Sequence, residues 1–362
     1  MSAYRRATVT GVSAWGPGIS EAALDFEDGG AGKGLVLEQL VGTVRQGDQV
    51  IANTTAEDLN LGSGGYHFIL WNLANGSLDT DGSGHIMKLR YTPLQFNVEA
   101  AEESLGMAEG EDLSTLLAGV GVIAGSLHSQ LLAATVAYKD ARSAGRLVYV
   151  MTDGGALPSA FSNTVRHLRD EGLLESVITC GNAFGGDREA VTLYGALAAA
   201  RQLDGADAVV VLMGPGIAGT GSALGFTGIE QGMTVNAAAS LGGLPIAIPR
   251  ITFGDARARH QGLSHHTVAA LKYAARARAV ISLPMIGGER GRMVRGQLDS
   301  SGLADIHEVR EVEASAVIDL MESSGQRVTV MGRTTRDEPE FFMAAGAAGI
   351  IAAQTGGETG GV

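Results

Sequence analysis

Residues 250–266 hold Arg250, Arg257, Arg259, His260, His265, His266 and Asp255, in a chain whose formal net charge is −13. That local positive patch suits a phosphate or carboxylate, because guanidinium forks grip such groups with paired hydrogen bonds; a solvated loop is the alternative. Ser264 reads as a helix N-cap, which puts His265 and His266 in the first turn. There the positive helix end lowers a histidine's pKa and draws anions. Successive helical residues point about 100° apart, so this pair is expected to chelate a metal poorly compared with H-x-x-x-H. No metal ligand set is expected.

Asp153, in Thr152-Asp153-Gly154-Gly155, could act as acid or base, hold a ribose hydroxyl or a metal ion, or close an Asx turn on its own backbone. Gly214-Pro215-Gly216-Ile217-Ala218-Gly219 fits G-x-G-x-x-G. The dinucleotide fingerprint, however, needs a helix at once and an acid about 20 residues on, and here Gly221, Gly225 and Gly228 follow. A loop whose bare N–H groups cradle an anion fits better, with Gly214, Gly216, Gly219 and Thr220 as the contacts; a purely structural loop is the alternative. His128 lies between Ser126 and Ser129 without the Gly-x-Ser-x-Gly elbow of hydrolases. Cys180 could be a nucleophile with His128 or His265 as base; a buried thiol is the plainer reading. Asp187 is expected to be an N-cap. Asp79-Thr80-Asp81-Gly82-Ser83-Gly84 imitates a calcium loop, but Arg90 stands where a bidentate Glu is required, so a hairpin turn is expected.

The elements that must position these residues fall into two regions. Up to about residue 105, apolar runs at 6–13, 34–40, 49–53, 66–72 and 85–91 alternate with Gly/Asp turns, which predicts a small β-barrel or β-sandwich. From 106 to 354, continuous runs at 121–124, 147–151, 176–179, 208–213, 245–249 and 280–283, with weaker ones at 308–312 and 328–331, predict strands buried on both faces. Between them lie helical stretches at 129–143, 158–171, 188–203, 229–241, 265–277, 289–302, 314–323 and 339–352. The expectation is an α/β fold: a three-layer, Rossmann-like, mostly parallel sheet. Gly145, Gly172 and Gly205 are expected as left-handed helix caps. Residues 355–362 read as a flexible tail.

Ligands of open parallel sheets sit outside the carboxyl ends of the strands. The candidates at 126–129, 152–155, 180–187, 214–221 and 250–266 follow five successive predicted strands of the α/β region, so they are expected to share one rim. The expectation is a small anionic ligand there, a nucleotide or a phosphorylated or carboxylated metabolite. Asp153, His128 and His265 are the candidate catalytic residues, and Gly214, Gly216, Gly219, Thr220, Arg250 and Arg259 the candidate anion contacts. No cofactor is specified. Two alternatives stand beside this reading: a non-catalytic binding or assembly protein working through the N-terminal β domain, and a metal-dependent hydrolase using Asp153, His128 and His265.

Four runs, Gly84-His-Ile-Met-Lys-Leu-Arg-Tyr-Thr-Pro-Leu-Gln95, Met151-Thr-Asp-Gly-Gly-Ala-Leu-Pro158, Met213-Gly-Pro-Gly-Ile-Ala-Gly-Thr-Gly221 and Gly262-Leu-Ser-His-His-Thr267, resemble a bacterial family known as domain of unknown function 3866. The resemblance implies no activity, so it assigns no residue a role.

Composition narrows the classes. With 45% hydrophobic residues among 362 the chain can build a core, which excludes disorder as its main state. The acidic balance argues against nucleic acid or an anionic membrane as partner. A single cysteine, Cys180, allows no internal disulfide and suits a reducing compartment. The N-terminus does not read as a signal peptide, and 341–353 is too short and too rich in Ala and Gly to span a bilayer. A cytoplasmic protein is expected. Ala- and Gly-rich helices would suit close packing in a homo-oligomer.

Overall fold

The computed structural model describes residues 3–79, 82–107 and 110–355. Thr80 and Asp81 of the calcium-like turn, and the tail beyond Thr355, lie outside the described residues. The chain forms two compact units, divided between Val98 and Glu99.

In the first unit, β1 (Tyr4–Gly16), β2 (Ile19–Phe26), β3 (Ala31–Leu37), β4 (Gln49–Asn53) and β5 (Tyr66–Asn72) close a barrel in the order β1-β2-β3-β5-β4. Only the β3–β5 pairing is parallel. Alternate residues, among them Ala7, Val9, Ala22, Leu24, Val50 and Ala52, fill the interior, as the two-residue strand period requires. Two single helical turns, α1 (Glu38–Val41) and α2 (Thr55–Asp58), interrupt the strands. A short ribbon, β6 (Ile86–Lys88) with β7 (Phe96–Val98), takes the place of the longer strand expected at 85–91. Leu89 and Tyr91 adopt positive φ of 48° and 59°, which no strand continues through.

The second unit is built on β8 (Gly121–Ala124), β9 (Leu147–Thr152), β10 (Ser176–Cys180), β11 (Arg188–Ala190), β12 (Ala208–Met213), β13 (Leu244–Ala247), a separate two-stranded ribbon β14 (Ile251–Thr252) with β15 (Gly262–Leu263), then β16 (Val280–Pro284) and β17 (Glu308–Val312). Eight strands form one sheet in the order β11-β10-β9-β12-β8-β13-β16-β17, all parallel. Side chains alternate between two cores. On β9, Leu147, Tyr149 and Met151 join the core built with α3 (Leu131–Ala141), α4 (Asn163–Asp170) and, later in the chain, 317–323 and 339–355. Val148 and Val150 join the opposite core, with α5 (Leu193–Gln202) and α6 (Glu230–Ser240). The outcome is the three-layer Rossmann-like arrangement with helices on both faces.

The remaining helices are α7 (His265–Ala269), which runs into a π-helical turn at Ala270–Ala274, α8 (Gly288–Ser301), α9 (Leu303–Ile306), α10 (Val317–Ser323) and α11 (Pro339–Thr355). The small residues of α11 serve packing within the chain. A Cβ on Gly349 would lie 2.2 Å from the Ala134 carbonyl oxygen, and one on Gly346 would lie 2.2 Å from Val317. No described helix is long and apolar enough to cross a membrane.

Four local expectations are corrected. Gly172 and Gly205 are left-handed as expected, but Gly145 is not; it is glycine because a Cβ would strike the Tyr138 hydroxyl at 2.3 Å. The stretch from 188 begins as edge strand β11, and Thr192 caps α5 by accepting from Gly195 N at 3.0 Å. Asp187 instead accepts from Val177 N at 2.8 Å and pairs with Arg169. Residues 328–331 contribute an isolated bridge, Val330 to Arg333, in place of a strand.

Candidate functional site

Strand β12 is flanked by β9 and β8. The chain leaves those neighbours for α4 and α3 on one face, while from β12 it runs to α6 on the other. Adjacent strands whose connections diverge in this way open a crevice at their carboxyl ends. A cavity of about 340 Å³ lies there, lined among others by His128, Ser162, Asn163, Gly216, Ile217 and Arg327. That volume is at the lower end for small-molecule sites.

His128 is held by three elements. The turn after β8 is fixed by the buried Gln130 carboxamide, which accepts from Ser126 N at 2.9 Å and Leu127 N at 3.1 Å. His128 Nδ1 lies 3.1 Å from the Met213 carbonyl oxygen and Nε2 lies 2.7 Å from Ser162 Oγ. A carbonyl only accepts, so Nδ1 carries the proton and Nε2 is free to accept from the serine hydroxyl. Burial pushes His128 down to about 4, the Met213 carbonyl opposing that only in part. Ser162 also caps α4, its Oγ accepting from Val165 N at 3.0 Å. The first-turn N–H groups of Asn163 and Thr164 have no partner within the helix. Sequence reading missed Ser162; Ser-Asn-Thr before an amphipathic helix was the available signal.

A second group surrounds Asp153, which is exposed at the end of β9. Its Oδ2 accepts from Asn182 N at 2.9 Å. A Cβ on Gly181 would lie 2.5 Å from that oxygen, so Asp153 fastens the turn after β10. Beside it Thr152 Oγ1 donates to Glu230 Oε1. Burial, with Asp153 adding to it, raises the Glu230 carboxyl to about 7, against the lowering effect of the Thr152 hydrogen bond. Glu230 was read only as the start of a helix.

The Gly-rich segment packs backbone against backbone. A Cβ on Gly214 would lie 2.0 Å from the Ala156 oxygen, and Ala156 N donates to the Pro215 oxygen at 2.8 Å. Gly214 is therefore glycine to admit the turn after β9. Gly219 bridges to Phe226, and Thr220 closes the same small loop through Gly225 and Ser222. Of the four expected anion contacts in this loop, Gly216 lines the cavity.

The third group is the basic segment. Arg250, whose side chain is 3% exposed, donates from Nη1 to His266 Nδ1 at 3.3 Å, and its Nη2 lies 3.8 Å from Asp255. Burial lowers Arg250 to about 10. Arg257 holds Asp255 by two hydrogen bonds of 2.9 and 2.7 Å and so keeps that carboxyl far below its usual range. Buried Glu338 anchors the segment by accepting from Phe253 N and Gly254 N at 2.8 Å each. Ser264 does cap α7, as expected, accepting from His266 N at 3.2 Å. His265 and His266 nevertheless lie with ring centroids 4.4 Å apart, and His260 lies 4.8 and 4.9 Å from them. Arg259 is exposed and lies 3.8 Å from where a Cβ on Gly221 would sit.

The carboxyl ends of the parallel strands thus share one edge, but the candidates divide among three groups along it. Asp153 follows β9 and Arg250 follows β13, three strands away, or about 14 Å at the usual strand spacing. Asp153, His128 and His265 each have different partners, and among the described residues the metal-type cluster is His260, His265 and His266.

Comparison with known proteins returns a family model described as "Protein of unknown function (DUF3866)", matching residues 33–349. No curated protein and no solved structure matches the chain. The match runs from the third barrel strand into α11, and the chain belongs to the DUF3866 family.

Proposed function

We propose that this protein binds a small anionic metabolite, phosphorylated or carboxylated, in the crevice over β12. The observation that carries the reading is the cavity of about 340 Å³ lined by His128, Ser162 and the Gly216-Ile217 loop. The N-terminal amides of α4 would receive the anion, as helix N-termini do, with Arg327 supplying positive charge. The edge loops enclose open space, which favours a ligand over assembly through the barrel. The His128–Ser162 pair has the arrangement of a nucleophile beside a base that a third group orients, which supports acyl or phosphoryl transfer as the accompanying chemistry. The one cysteine, Cys180, is buried and in no disulfide, which accords with a cytoplasmic setting.

The test is thermal shift and calorimetry against nucleotides, sugar phosphates and small carboxylates. At a hundredfold excess over Kd, a true ligand adds about 2.7 kcal/mol of stability, and Ile217→Trp, which fills the cavity, abolishes the effect. No stabilisation by any member of the panel, or stabilisation that Ile217→Trp leaves intact, overturns the reading.

A further inference from the structure

We propose that His260, His265 and His266 form a binding centre for a divalent transition-metal ion of the zinc class, with an open coordination position beside Arg250. This inference does not rest on the cavity over β12.

One potential ligand atom from each of the three imidazoles lies within 4.8 Å of the others. Three histidines plus an open position is a recurrent catalytic zinc set. A tetrahedral ion with Zn–N bonds of about 2.0–2.1 Å sets its ligand atoms roughly 3.3 Å apart, so from separations of up to 4.8 Å the rings must draw in by up to about 1.5 Å.

Two of the imidazoles carry buried nitrogens with no partner: Nε2 of fully buried His260 and Nε2 of His265. Unpaired buried polar atoms are costly, and a ligand is one way to satisfy them. The rings are also oriented from behind. His260 Nδ1 lies 2.7 Å from Ser264 Oγ; in the tautomer that donates Nδ1–H to this oxygen, the Nε2 lone pair is left for a metal. Supporting hydrogen bonds of this kind fix the tautomer of metal-bound histidines. Thr252 Oγ1 donates to the His260 carbonyl at 2.7 Å, tying down its backbone. His266 is stacked on Phe226 at 3.8 Å with the planes 3° apart.

Protonation does not stand in the way. Burial, with the neighbouring arginines, lowers His260 to about 4 and His266 to about 3, and lowers His265 as well. All three are neutral ligands near pH 7, as metal binding requires.

Charge defines what accompanies the ion. Arg250 and Arg257 oppose a bare cation, and Asp255 offsets only part of this. Arg250 has no hydrogen-bond partner at Nε or Nη2. An ion that takes the Nδ1 lone pair of His266 releases Arg250 Nη1 too. The released guanidinium then stands next to the open metal position, where it would hold a metal-bound carboxylate, phosphate or hydroxide.

The full-length protein is stripped with chelator and titrated with Zn²⁺ or Co²⁺ alone, by calorimetry with metal analysis after desalting. The expected result is one equivalent bound. His265→Gln and His266→Gln should each weaken binding about tenfold or more, while His167→Gln, on α4, leaves it unchanged. These two positions are only part-buried, so the test survives if His260→Gln fails to fold; circular dichroism of the stripped variants checks this. The proposal is overturned if the wild-type chain takes up no stoichiometric metal, or if the His265→Gln/His266→Gln double variant binds as well as the parent. The titration contains no metabolite, so its failure is separate from failure of the cavity reading.

Discussion

Thr152 Oγ1 donates to Glu230 Oε1 across 2.5 Å, joining the end of β9 to the first residue of α6. Burial keeps the Glu230 carboxyl protonated up to about pH 7, against the opposing effect of this hydrogen bond.

That retention has a sign. As pH rises from the ordinary value of 4.5 to about 7, the unfolded chain loses the proton and the folded chain keeps it. Stability therefore falls with rising pH, by up to about 1.4 kcal/mol per unit. Glu230→Gln should remove this slope and leave the variant roughly 2–3 kcal/mol more stable than the parent at pH 8. Urea melts of both proteins at pH 5 and pH 8 measure it; identical slopes would show that Glu230 ionises normally.

His128 works in the opposite direction. Below its ordinary value of 6.5 and down to about 4, the unfolded chain binds a proton that the folded chain refuses. Stability is lost as pH falls through that window, again by up to about 1.4 kcal/mol per unit. The difference curve between His128→Gln and the parent should show the loss removed. A flat difference between pH 4.5 and 7 would mean that His128 takes up its proton in the fold as readily as in the unfolded chain.

Gly214 and Gly216 are glycines for different reasons. Gly214→Ala drives a methyl into the Ala156 oxygen and should cost about 1–3 kcal/mol as overpacking. Gly216, at φ +92° with nothing within 4 Å of a Cβ, should lose about 1–2 kcal/mol from backbone strain alone. Replacing Gly216 with D-alanine by semisynthesis should restore stability there, whereas the same change at Gly214 should not. Chemical denaturation reads both.

Asp153→Ala removes the acceptor of Asn182 N and should cost about 1 kcal/mol. If metabolite affinity and turnover in the variant match the parent, Asp153 is a fastener of the β10 turn and no part of the chemistry.

Much of the architecture was legible because period and punctuation agreed. The continuous apolar runs at 121–124 and 208–213 coincide with β8 and β12, since strands buried on both faces need no alternation, while the weaker run at 308–312 is the half-exposed edge strand β17. β2 was missed: Ile-Ser-Glu-Ala-Ala-Leu-Asp-Phe has weak strand propensity and is a strand because it pairs on both sides, with β1 and β3. The edge was legible as a set of junctions, but its division was not. Which junctions adjoin depends on strand order, and the insertion of β12 between β9 and β8 is a long-range outcome. The approach of His260 to His265 and His266 is likewise tertiary, set by the β14–β15 ribbon, and spacing along one helix could not reveal it.

The two outer strands of the eight-stranded sheet have a consequence for life at high concentration. β11 is three residues long and opens with Arg188, which is paired to Asp204 at 2.7 Å. β17 reads Glu-Val-Arg-Glu-Val. An incoming segment seeking to zip onto either margin meets a stub on one side and a picket of fixed charges on the other. The barrel, closed on itself, offers no margin at all, so runaway templating into fibres is guarded against at each flank.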